Sequence, residues 1–158
     1  MKNLILLATL MVIIVNACGQ SKKDKKSIAV PEAVRNSFDG KFATATKVEW
    51  GIEKQGEYEA EFKMNKNEMS VVFDEKGNLL ETETEIKKTE LPQTVLESLK
   101  KEFGNYKIDE IEKVDSNGTT SYEMEAGKGK EKFELVFDYN GKLLQKEPKQ
   151  EREEEEND

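Results

Sequence analysis

The 158-residue sequence contains no histidine and one cysteine, Cys18. Without histidine, the commonest metal ligand and the usual general base near neutral pH are both missing. That excludes His-dependent catalytic triads and zinc sites of the His/Cys type. One cysteine cannot form an internal disulfide, so stability must come from packing. Proline occurs three times and tryptophan once, as Trp50. Basic residues are outnumbered, 25 Lys and Arg against 33 Asp and Glu, for a formal net charge of −8. Nucleic acid needs a basic footprint, so it is excluded as a partner. An acidic surface admits a basic partner or a divalent cation instead. No cofactor is expected.

Long apolar runs are also absent, except Leu4 to Val15. A permanent membrane helix needs about 20 apolar residues, and this run is shorter. Preceded by Lys2, it reads as a signal-peptide core. It ends in Val15-Asn16-Ala17-Cys18, which resembles a bacterial lipobox. The resemblance implies that residues 1–17 are a lipoprotein signal peptide and that Cys18 carries acyl chains. Such chains hold a protein to the membrane with about 0.8 kcal/mol per buried CH₂. Gly19, in place of an inner-membrane retention aspartate, points to the outer membrane, with the periplasmic and surface faces both open. Residues 18–27 form the lipidated cysteine and a flexible tether, whose Ser21-Lys22-Lys23-Asp24-Lys25-Lys26 is too charged to pack. Residues 148–158 are an acidic tail, expected to be disordered by its like charges.

Between these ends the chain repeats itself. Tyr58-Glu59-Ala60-Glu61-Phe62 returns as Tyr122-Glu123-Met124-Glu125-Ala126. Val71-Val72-Phe73-Asp74 with Gly77-Asn78-Leu79-Leu80 returns, at the same offset, as Leu135-Val136-Phe137-Asp138 with Gly141-Lys142-Leu143-Leu144. Val30-Pro31 with Val34, Phe38 and Phe42 returns as Leu91-Pro92 with Val95, Leu99 and Phe103. The two copies span 28–88 and 89–147. A repeated unit that cannot bury its apolar face alone stacks on or joins its neighbour.

Each copy opens with a helix. Pro31 and Pro92 suit the first helical position, where a missing N–H costs nothing. Val34, Phe38 and Phe42 share one helical face, as do Val95, Leu99 and Phe103. Gly40 weakens the first helix by about 1 kcal/mol relative to alanine. Period-two segments follow. Val48, Trp50 and Ile52 alternate with Lys47, Glu49 and Gly51, and Tyr58, Ala60 and Phe62 alternate with Glu57, Glu59 and Glu61. Met69, Val71 and Phe73, then Leu80, Thr82, Thr84 and Ile86, complete the unit. This predicts antiparallel strands with one face on a core and one in water. Ile108 and Ile111 differ in parity, which predicts a bulge in the first strand of the second copy. Turns are predicted at Lys54-Gln55-Gly56, Asn65-Lys66-Asn67, Glu75 to Asn78, Ser116-Asn117-Gly118, Gly127-Lys128-Gly129 and Tyr139-Asn140-Gly141. The fold class is α+β: two tandem repeats, each a helix followed by a four-stranded antiparallel meander.

The Val-Pro helix start, Lys47-Val48-Glu49-Trp50, Tyr58 to Phe62 and the Phe73-Asp74-x-x-Gly77-x-Leu79 turn together resemble the PepSY-like domains of bacterial envelope proteins. Their fold is similar to the tandem units of β-lactamase inhibitory proteins. The second copy lacks the tryptophan and has Ala126 where the first has Phe62. The resemblance implies a secreted or lipid-anchored module without enzymatic activity that binds or inhibits another protein. It brings no site residues with it.

Carboxylates are the remaining reactive groups. Glu57, Glu59, Glu61, Glu123 and Glu125 fall on outward strand positions and read as the wet face of a sheet, with Glu49 beside them. An acid/base pair of glycosidase type needs one carboxyl raised in an apolar pocket, and the sequence predicts no such burial. Asp74-x-x-Gly77 and Asp138-x-x-Gly141 read as turns, because the further ligands of a calcium loop are missing. The expected function is a protein- or peptide-binding module of the cell envelope, held to the membrane through acylated Cys18. Its contact surface is the acidic face of Glu49, Glu57, Glu59, Glu61, Glu123 and Glu125, and its partner is basic. Trp50 has inward parity but becomes a hot spot if it sits at an edge. The alternative is a divalent-cation-binding protein using the same face and the tail.

Overall fold

A computed structural model of the chain describes residues 28–149. The expected signal peptide, Cys18, the expected tether and nearly all of the acidic tail lie outside the described residues.

Helix α1 spans Glu32–Lys41 and leads into strands β1 (Thr46–Lys54), β2 (Glu57–Met64), β3 (Asn67–Asp74) and β4 (Leu79–Glu85). A 3₁₀ turn, Lys88–Glu90, precedes helix α2 (Gln93–Phe103), which leads into β5 (Lys107–Ser116), β6 (Thr119–Lys128), β7 (Glu131–Asp138) and β8 (Leu143–Pro148). The eight strands form one antiparallel sheet in chain order. The halves join where β4 pairs with β5, Glu83 opposite Val114.

Both helices cover the same sheet face. Ala60 pairs with Val71, Val71 with Thr82, Thr82 with Asp115 and Asp115 with Thr120, so the inward residues of β2, β3 and β6 share one side. Under α1, Val34 and Phe38 meet Ala60, Phe62, Val71 and Phe73. Under α2, Val95, Leu99 and Phe103 meet Tyr122, Met124, Ala126, Leu135 and Phe137. Where β4 meets β5 the inward side is polar instead: Thr82 and Thr84 lie opposite Asp115 and Lys113, and Lys113 pairs with Asp115 at 2.5 Å. Two apolar clusters are thus joined through a hydrogen-bonded sheet.

Several details differ from the sequence reading. Pro31 and Pro92 cap the helices rather than occupy their first turn. Their carbonyls accept the N–H of Arg35 and Leu96, each at 3.1 Å. The bulge in β5 is present, with a register skip between Asp109 and Glu112 and Glu110 at φ 48°. Strand β1 carries a matching one, between Thr46 and Glu49, with Lys47 at φ 57°. Trp50 and Ile52 lie beyond that bulge and Val48, inside it, keeps their parity, so the alternation conceals it. The turn expected at Gly127-Lys128-Gly129 falls at Gly129-Lys130, because Gly127 and Lys128 still pair with Lys132 and Glu131.

Gly40 lies inside α1, and a Cβ built on it meets nothing within 4 Å. Gly40→Ala is therefore expected to stabilise the fold by about 0.5–1 kcal/mol, read as a higher urea midpoint.

The Asp-x-x-Gly segments are turns. Asp74 Oδ1 accepts the N–H of Lys76 at 2.9 Å and of Asn78 at 2.8 Å. Asp138 Oδ1 accepts those of Asn140 and Lys142, both at 2.9 Å. Each turn leans on the helix of its own half. Ser98 donates to the Gly141 carbonyl at 2.6 Å and Thr94 to that of Tyr139 at 2.8 Å.

Candidate functional site: the open sheet face

The sheet face away from the helices carries the outward residues of every strand. Glu49 lies opposite Glu61, Glu61 opposite Ser70, Ser70 opposite Glu83 and Glu83 opposite Val114. One row along, Glu59, Val72, Glu81 and Ser116 face one another in turn. On the other side, Glu85 faces Glu112, and Glu112 faces Glu123. Asp109 faces Glu125, Glu125 faces Glu134 and Glu134 faces Glu147. The expected Glu49, Glu57, Glu59, Glu61, Glu123 and Glu125 therefore share this face, and Glu81, Glu83, Glu85, Glu112 and Glu134 join them.

Like charges directly opposite in a sheet are destabilising, by roughly 0.2–1 kcal/mol a pair. Lysines relieve the rim. Lys54 pairs with Glu57 at 3.0 Å, Lys63 with Glu68, and Lys149 with Glu125 and, at 3.7 Å, with Glu110. At the centre, burial and mutual repulsion raise the carboxyls instead. Burial, then the charges of Glu112, Glu81 and Glu123, push Glu83 up to about 8. Burial, then Glu110, Glu85 and Glu134, push Glu112 up to about 7. Burial, then Glu134, Glu81 and Glu112, push Glu123 up to about 7. Glu59, Glu134 and Glu53 are raised too, burial being the first cause in each.

The hydrogen bonds bear on the same point. Ser70 Oγ lies 3.1 Å from Glu59 Oε1 and 3.1 Å from Glu83 Oε2. A hydroxyl has one proton to donate. Satisfying both contacts requires one glutamate to donate to Ser70 while Ser70 donates to the other. Glu83, 6% exposed and the more strongly raised, is the one that keeps its proton.

This corrects two expectations. The face is not uniformly wet: Glu83 is buried, and Val72, Val114 and Val136, which point the same way, are buried beside long glutamate side chains. Shifted carboxylates do exist. The shifts of Glu83, Glu112, Glu123, Glu59, Glu134 and Glu53 all run upward. Trp50 belongs to the other face. It stands edge-on to Phe38, ring centroids 5.2 Å apart, half-buried on the edge strand β1 and away from the acids. The additional glutamates do not show in apolar parity, which the sequence reading followed. The alternation Glu81-Thr82-Glu83-Thr84-Glu85 was the available signal.

Among the described residues, no group of three or more acidic, cysteine or histidine side chains is arranged to hold a metal ion. Nor is any described helix long and apolar enough to cross a membrane.

The sequence matches the family described as beta-lactamase-inhibitor-like and PepSY-like, over residues 21–81 and again over 56–145. Solved structures share the fold. A BLIP-like protein from Bacteroides fragilis is 25% identical, with a TM-score of 0.67 over 79% of this chain and 90% of its own. A DUF2874 family protein from Bacteroides uniformis is 20% identical, with a TM-score of 0.70 over 75% and 88%. A suggested periplasmic protein from Bacteroides eggerthii is 20% identical, with a TM-score of 0.72 over 76% and 89%. No curated protein matches the sequence.

Proposed function

The chain belongs to the beta-lactamase-inhibitor-like, PepSY-like family, and from that premise we propose a lipid-anchored, non-enzymatic module of the cell envelope. It holds a basic protein or peptide on the open face of its sheet. The anchor is acylated Cys18, in the outer membrane. The two halves, each a helix and four strands, are duplicated copies that together build a face wide enough for a macromolecule. The family's inhibitor-like description supports capture that blocks the partner.

One observation carries this reading. The centre of the face keeps Glu85, Glu112 and Glu123 in consecutive opposition, with Glu83 beside them. A sheet selected for stability alone would place lysines there. A cationic partner supplies the missing charge, and the surrounding field speeds its approach. For the divalent-cation alternative, the described residues hold no group of three or more acidic side chains arranged for a metal ion.

The test is cross-linking capture from envelope extract by the soluble chain that starts after Cys18. The variant Glu59→Lys/Glu61→Lys/Glu123→Lys is run beside it. Lysine at 123 turns the Glu112 opposition into an attraction, so the variant is expected to fold. A captured protein should fall at least about tenfold with the variant and weaken with added salt. Capture indifferent to both charge reversal and salt overturns the reading.

A further inference from the structure

On the open face, between the end of the β1–β2 hairpin and the β5–β6 turn, lies a cleft of about 250 Å³. Small-molecule sites run to about 300–1,000 Å³, so this volume suits one side chain better than a free ligand. Two bulges build it. In β1 the pairing passes from Ile52 with Tyr58 to Lys54 with Glu57, leaving Glu53 as the extra residue. In β4 it passes from Val72 with Glu81 to Phe73 with Leu79, leaving Leu80. A bulge re-aims the side chain it frees, and both Glu53 and Leu80 line the cleft. The second half has the same bulge at Leu144, but β8 is an edge strand with no neighbour to close a cleft, and Leu144 is 46% exposed.

The lining is divided. Val72 and Leu80 are apolar, while Glu53, Glu57 and Glu81 bring carboxylates. Lys54 already holds Glu57 at 3.0 Å. Glu53 and Glu81 make no ion pair among the described residues. We propose that this cleft is the anchor pocket for an arginine side chain of the partner, with its aliphatic stem on Val72 and Leu80 and its guanidinium bridging Glu53 and Glu81. The proposal rests on the binding reading above and names the chemistry that the surface recognises. Long cationic side chains bury their stems on apolar surface and keep the charged head on polar groups. Arginine fits better than lysine because its planar fork spans two carboxylates and sheds water more easily. The Glu53 carboxyl is raised by burial and then by the charges of Glu81 and Glu57, a repulsion that a guanidinium would relieve.

The test is an amide NMR titration of the soluble chain with Nα-acetyl-arginine methylamide. The matching citrulline and lysine derivatives serve as neutral and single-point-charge comparisons. Arginine should shift the signals of Val72, Leu80, Glu81 and Ser116 with a Kd in the millimolar range. Citrulline and lysine should bind about tenfold or more weaker, and so should arginine to Glu53→Gln/Glu81→Gln. These isosteric substitutions should leave signals outside the cleft in place, which reports that the fold is intact. Citrulline or lysine binding as tightly as arginine overturns the proposal, as do shifts elsewhere on the sheet or none that saturate. The two readings fail separately. A partner lost on charge reversal without any arginine response sinks only the pocket. An arginine response with capture indifferent to the face sinks only the surface.

Discussion

Raising the pH from 4.5 to 8 is expected to lower the folding stability by about 3–5 kcal/mol through Glu83 alone. In the unfolded chain this carboxyl titrates near 4.5, and in the fold near 8. Below the lower value both states are protonated and the group contributes nothing. Between the two values the unfolded chain ionises while the folded one keeps its proton, so each unit favours unfolding by about 1.4 kcal/mol. The loss is complete above the folded value. Glu112 and Glu123, raised to about 7, act in the same direction, and because the three interact, their contributions are not additive. Asp74 and Asp115 are held below their usual 3.8 and support the fold above that pH. Their contribution is lost only as pH falls further, outside this window. Glu83→Gln isolates the effect, since the amide donates to Ser70 as the carboxyl proton does. The variant should match the wild type near pH 4.5 and exceed it by about 3 kcal/mol or more at pH 8. Urea unfolding at three pH values checks this. Wild-type stability that is flat or rises over the window contradicts it.

The second large effect lies at the turns. Gly77 and Gly141 sit at φ 81° and 79°, where a side chain is strained. A Cβ at Gly77 would come within 2.5 Å of the Ala33 carbonyl oxygen of α1, and one at Gly141 would strike that of Thr94 in α2. The obstruction is backbone in both cases, so no side-chain rotation relieves it. Gly77→Ala and Gly141→Ala should each destabilise by about 2–4 kcal/mol. Gly118→Ala separates the causes: φ is 75° but nothing stands within 4 Å, so about 1 kcal/mol is expected. Equal losses at all three positions would show that conformation alone matters and that the turns do not dock on the helices.

Much of this architecture is written in the repeat. Matching apolar positions place each helix over its own strands, and the Asp-x-x-Gly turns follow from local chemistry. The bulge in β5 shows as a break in parity. The one in β1 does not, because the strand regains regular alternation after Lys47. The acidic face was legible as a side of the sheet but not as an environment. Outward parity at Glu59 and Glu123 says which way a carboxyl points, not how many others surround it. That depends on β4 joining β5, a long-range pairing that no local pattern encodes. Burial of Glu83 and the bridging by Ser70 follow from that junction. The cleft beside Leu80 also depends on it, since the same bulge at Leu144 lies on an edge strand.

The most direct measurement is a ¹³C titration of the side-chain carboxyls of the soluble chain. Glu83 should titrate near 8, and Glu112 and Glu123 near 7. Ser70→Ala should alter the Glu83 and Glu59 curves and leave that of Glu134 in place. Such midpoints would establish a sheet face whose central carboxyls are raised by burial and by one another, as the binding reading requires. Midpoints near 4.5 for all three would make it an ordinary solvated surface and remove the case that its centre is short of a counter-ion.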